Sequence, residues 1–161
     1  MNDYSHIIYV IGALVLFGTF ALRANHGMMR SNEMALMNAV QAEAIDLAET
    51  AIRQSVFLPF DLNTINDPLP DNDPTYLRPM ATFGLPQGIT VPRVFDDYHN
   101  FSWTLSGVYG EFHVSSIVTY VDNSSPPQPV ANRTLRKMLV VTVEHEILQT
   151  PITLRYVRSY H

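Results

Sequence analysis

The chain has no cysteine. That excludes disulfide staples, thiolate metal sites, iron–sulfur clusters and cysteine nucleophiles. Charge is scarce as well. Asp, Glu, Lys and Arg make up 16% of the 161 residues, against about 25% in ordinary soluble domains. The net charge is −5, and Lys137 is the one lysine. A nucleic-acid partner is therefore not expected, because backbone contacts need clustered Lys and Arg. The chain also lacks a G-x-S-x-G elbow, a P-loop and a dinucleotide-binding glycine fingerprint, so nothing arranges its Ser, His and Asp for catalysis. Neither an enzymatic activity nor a cofactor is expected.

Charge is missing most completely near the start. Residues 4–22 read YSHIIYVIGALVLFGTFAL and contain no Asp, Glu, Lys or Arg. As a helix this run spans about 28 Å, close to the hydrocarbon thickness of a bilayer. Ile7, Ile8, Ile11, Leu14, Val15, Phe17 and Phe20 supply its bulk. A cleaved secretory signal would need a basic start and a small-x-small site. Met1-Asn2-Asp3 carries no Lys or Arg, and the run passes into Arg23-Ala24-Asn25 without such a site. The helix of a soluble core is the other alternative, and so long an apolar run fits it poorly. Gly12 and Gly18 stand six apart, so they form no G-x-x-x-G seam. Tyr4 and Tyr9 read as interfacial anchors, and Phe17 and Phe20 as packing residues. Arg23 and Arg30 follow the run and no basic residue precedes it. Taken alone, that bias keeps the C-terminal part cytoplasmic; a leader carrying basic residues would reverse it.

Beyond this run, Gly27 is the single interruption before an amphipathic stretch. Met37, Val40, Ala44, Leu47, Ala48, Ile52 and Val56 recur in steps of three and four, one stripe of a helix. Gln41, Glu43, Asp46, Glu49, Thr50 and Arg53 take the other side. Pro59 stops the helix, and Leu58 before it is biased toward extended backbone. The spacing thus predicts one helix over 4–57, roughly 80 Å long. Its first half is apolar all round and its second half amphipathic.

Seven of the eleven prolines fall in residues 59–93, which reads as an irregular, surface-hugging segment. Period-2 runs come next. Phe101, Trp103 and Leu105 alternate with Ser102, Thr104 and Ser106, and Phe112, Val114, Val118 and Tyr120 form the second set. After the turn at Asp122–Pro129 come Met138–Val143 and Ile152–Val157. Runs of this kind without intervening helices predict an antiparallel meander of about four strands over 94–160. The fold class is α+β. The organisation is an N-terminal helix over 1–57, an irregular loop over 58–93 and a β-sheet head over 94–161. The apolar face of the sheet is the natural cover for the stripe Met37–Val56.

Several clusters have a ligand reading beside a plainer one. Asp67, Asp71, Asn72 and Asp73 can supply oxygen ligands to calcium, but Asp or Asn before Pro is ordinary turn chemistry. Asp96-Asp97 reads as a turn cap or a source of sheet-edge hydrogen bonds. Glu111, His113, Glu144, His145 and Glu146 fall on neighbouring strands. A hairpin centred on residue 129 sets His113 opposite His145, where two His and a carboxylate can bind zinc. Cross-strand polar pairing on a solvent face is the commoner outcome. Asn100, Asn123 and Asn132 each match the N-glycosylation pattern, and Asn123, in its turn, is the best acceptor of the three.

A long apolar-then-amphipathic helix, an irregular loop and an antiparallel sheet together resemble the type IV pilin and pseudopilin superfamily. The string Phe95-Asp96-Asp97-Tyr98-His99-Asn100-Phe101-Ser102, with the terminal LRYVRSY, resembles its minor-pilin-like branch, the mannose-sensitive-haemagglutinin D-like proteins. The family's processing motif, a glycine followed by Phe-Thr-Leu-Ile-Glu, is not present. Ser5 stands at the usual glutamate and Leu22 at the usual helix-kinking proline. Met1 is then either the translational start or a residue exposed by processing.

The resemblance implies assembly. Such subunits lie in the inner membrane first. They then pack their apolar helices against copies of themselves or other pilin-like subunits, in an extracellular filament or a periplasmic pseudopilus. In the family the glutamate neutralises a neighbour's N-terminal amine. Asp3 is the only acid before residue 33, and is expected to substitute for it. Ile7, Ile8, Ile11, Leu14, Val15, Phe17 and Phe20 are the expected core of the assembly. The alternative is a membrane-anchored, β-rich binding or sensing domain that acts as a monomer.

Overall fold

The computed structural model describes residues 3–160, and their side chains from residue 6. The chain divides into two units, Met1–Ala39 and Val40–His161. Helix α1 runs over Asp3–Val56 and so belongs to both. It ends one residue before the expected limit, ahead of Pro59.

In the second unit the rest of α1 lies on an antiparallel sheet, giving the expected α+β layout. Val40, Ala44, Ala48 and Ala51 are buried and share one core with Phe112, Val114, Val118, Leu139, Val141 and Val143. The alanines matter by being small, since they let the helix backbone approach the sheet closely. Ala51 and Ser55 extend the stripe beyond the residues expected; Ser55 is buried and donates to the Ile52 carbonyl at 2.7 Å. Glu43, on the polar side, accepts from the Val108 amide at 2.9 Å and so fastens the turn between the first two strands. Gly107, which leads into that turn, has no room for a side chain: a Cβ there would lie 2.7 Å from the Phe112 ring.

The sheet has five strands, one more than expected: β1 (Phe101–Gly107), β2 (Gly110–Val121), β3 (Pro129–Val130), β4 (Arg136–Glu144) and β5 (Ile152–Ser159). The order is β1-β2-β4-β5, with the two-residue β3 beside the end of β2. In β2, Phe112, Val114, Ser116, Val118 and Tyr120 face inward and alternate with less buried residues. Leu105 departs from the expected set and is 37% exposed on the edge strand β1.

The proline-rich segment is a chain of short 3₁₀ turns at Leu62–Thr64, Pro70–Asn72, Pro74–Tyr76 and Met80–Thr82. It is more than a surface wrap. Phe60, Leu69 and Leu77 are buried with Tyr120 in a second apolar cluster. The Tyr120 hydroxyl donates to the Arg78 carbonyl at 2.7 Å, which fixes the segment to β2.

Candidate functional site

The first unit offers a surface. Ile7, Ile8, Ile11, Leu14, Val15, Phe17 and Phe20 are each between 54% and 72% exposed. By length and composition the helix that carries them is capable of crossing a membrane. Fully burying one such side chain is worth about 1.5–3 kcal/mol, so water is a poor medium for the whole set. Lipid or other apolar helices satisfy it. The side chain of Asp3 lies outside the described residues.

The head holds a second unusual arrangement, inverted in character. Lys137 stands on β4 in step with Leu139, Val141 and Val143, so it points into the core, where it is fully buried. Its Nζ donates to Asp96 Oδ1 at 2.6 Å, to Asp61 Oδ2 at 2.7 Å and to the Phe60 carbonyl at 3.1 Å. The rings of Phe60, Phe83 and Tyr120 surround it, with centroids 4.3, 5.1 and 5.3 Å from Nζ. Neither carboxylate has exposed side-chain surface.

The two carboxylates differ in their surroundings. Asp61 caps the 3₁₀ turn after it: Oδ1 accepts from the Asn63 amide at 3.0 Å, and Oδ2 accepts from the Arg78 amide at 3.1 Å. Burial works to raise its pKa, but Lys137 and these amides prevail and hold it below the usual carboxylate range. Asp96 has fewer donors, and its Oδ2 has no hydrogen-bond partner. Burial pushes the Asp96 carboxyl up to about 7 against the pull of Lys137, and the nearby charge of Asp61 adds to the rise. Asp97 turns the other way. Its Oδ2 accepts from the Arg93 and Val94 amides at 2.9 and 3.2 Å, and Arg78 lies 3.5 Å from its Oδ1. The expected turn cap is therefore Asp97 alone. Beside this cluster, Arg158 Nη1 donates to the Leu58 carbonyl at 2.6 Å, just behind the end of α1.

The strand cluster does not form as expected. His113 pairs with Glu144, one residue from the expected register. Its Nδ1 lies 3.1 Å from the Thr104 hydroxyl across the β1–β2 pair. His145 is buried after the end of β4 and stacks on Phe112 at 4.4 Å between ring centroids. Among the described residues, no group of three or more His, Asp or Glu is placed to hold a metal ion. In the proline-rich segment Asp73 accepts from the Thr75 amide at 2.8 Å, ordinary turn capping. Asn100, Asn123 and Asn132 are all exposed. Asn123 Oδ1 also accepts from Arg136 Nη1 at 3.4 Å.

The sequence reading missed the Lys137 cluster, although one signal for it existed. Counting back in twos from Val143, Val141 and Leu139 lands on Lys137. Comparison of the chain with protein-family models, with curated proteins and with solved structures found no match in any of the three.

Proposed function

We propose that this chain is a pilin-like structural subunit. It would lie in the inner membrane and then assemble, through the apolar part of α1, into an extracellular filament or a secretion pseudopilus. One observation carries the reading: a single helix is apolar and exposed over Ile7–Phe20, and the same helix packs beneath an antiparallel sheet over Val40–Ala51. Association that buries apolar side chains is driven by their removal from water, and copies of the same helix offer a matching surface. The partners are then copies of this chain or related pilin-like subunits. The role is structural, without catalysis. Asp3 is proposed to neutralise a neighbouring N-terminal amine in place of the glutamate found in pilins; an Asp3→Ala variant that assembles as well as the parent removes that part.

Electron microscopy of the full chain expressed in a membrane-bearing host tests the reading. Helical fibres containing the chain are expected. Discrete particles that stay single in detergent and in vesicles overturn it in favour of a membrane-anchored binding domain acting alone.

A further inference from the structure

Lys137, Asp61 and Asp96 place one ammonium and two carboxylates in a pocket walled by Phe60, Phe83 and Tyr120. Fully ionised, the group carries one uncompensated negative charge. Burying such a charge is costly, and Asp96 Oδ2 has no donor to offset it. The arrangement has a chemical way out. An amine and a carboxyl group held together away from water can condense to a neutral amide, which removes both charges at once.

The geometry points to an intramolecular amide bond between Lys137 Nζ and Asp61 Cγ, formed by the chain itself with Asp96 as the proton carrier. Nζ lies 2.7 Å from Asp61 Oδ2, the atom that would leave, and is thus beside the carbon it would attack. Effective concentrations in such fixed pairs are very high. Nζ also donates to Asp96 Oδ1 at 2.6 Å, so a proton can pass along that bond and leave a neutral, nucleophilic amine. A carboxyl group poised near 7 is suited to taking and returning a proton. The amides of Asn63 and Arg78, which reach Asp61 Oδ1 at 3.0 and 3.4 Å, would hold negative charge as the tetrahedral intermediate develops on that oxygen.

The balance is simple. The ammonium and the carboxylate give an amide and one water; a C–N bond forms as the Cγ–Oδ2 bond breaks. Asp96 relays two protons in turn from Nζ to Oδ2, which departs as water, and ends unchanged. No oxidant, metal or second substrate takes part. Asp61 rather than Asp96 is the acyl partner because it alone has amide donors on its carboxyl group. The inference concerns the head alone and stands whether or not the chain forms filaments.

Mass spectrometry of the purified full-length protein tests it. The chain is expected to be lighter by one water. Trypsin is expected to release a branched peptide joining residues 54–93 to residues 137–155, a readout that processing at the N-terminus does not alter. Lys137→Arg and Asp96→Asn are each expected to restore the unbranched peptides, with circular dichroism confirming that both variants fold. Unbranched peptides from the folded parent protein overturn the bond and leave an ion pair only. Full branching in Asp96→Asn overturns the role of Asp96.

Discussion

Between Ile7 and Phe20 the helix presents large apolar side chains that are more than half exposed, whereas the ionisable groups of Lys137, Asp61 and Asp96 have no side-chain surface in contact with water. Each region breaks the usual distribution, and the two breaks teach different things. Exposed apolar surface points to lipid or a partner, because among the described residues it stands open. Buried charge points inward. It forces one geometry on the segments that meet there, since any shift of Asp61 or Asp96 away from Lys137 strands a charge in an apolar pocket.

The largest expected effect breaks the first region. Leu14→Asp puts a carboxylate at the middle of the apolar run, where an ionised group costs about 3 kcal/mol or more in lipid. On the proposed reading, membrane fractionation should show loss of the anchored form, and fibres should be absent by microscopy. Lys137→Met breaks the second region instead. It leaves two buried carboxylates without their cation, so the head should lose about 3–5 kcal/mol in urea unfolding, with the apolar part of α1 unaffected.

A titration sharpens the contrast. The carboxyl of Asp96 is raised to about 7, so the fold favours its neutral form. The stability this confers is complete in acid and is lost as pH rises through about 7. On the order of 3 kcal/mol is expected between about pH 4 and pH 8. The carboxyl of Asp61 is lowered, so its contribution disappears as pH falls below the ordinary carboxylate value of 3.8. Thermal unfolding followed across pH should therefore show a maximum at about pH 4, where the acid limb of Asp61 meets the start of the Asp96 decline. If Lys137 is condensed with Asp61, the acid limb vanishes while the alkaline limb remains, because the burial of Asp96 persists. The smallest effect is local. Gly107→Ala sets a methyl group against Phe112 and the Glu43 carboxylate, and should cost about 1–3 kcal/mol in urea unfolding through overpacking.

Much of the layout could be read directly. The stripe Met37–Val56 is a periodic pattern, and periodicity survives into structure because it decides which side of a helix meets the core. The strand runs were readable for the same reason. Register was harder. The connection from Asp122 to Leu135 contains β3, and a one-residue difference in how it folds moved His113 from His145 to Glu144. The candidate site divides along the same line. Exposure of the apolar helix follows from composition. The Lys137 cluster does not, because residues 61, 96 and 137 are joined only by the fold, and no local rule links a turn cap, the 3₁₀ turn Phe95–Tyr98 and a strand. The inward direction of Lys137 alone was available, and it was obscured because the strand was read from Met138.

The exit of α1 is mechanically braced. Leu58 and Phe60 come within a few residues of the helix end, and their carbonyls are gripped by Arg158 from β5 and Lys137 from β4. Tension arriving along the helix backbone would be shed into two adjacent strands before it could reach the proline-rich turns beyond. Those strands would be loaded in parallel with the helix exit, and the weaker turns would be shielded from the pull.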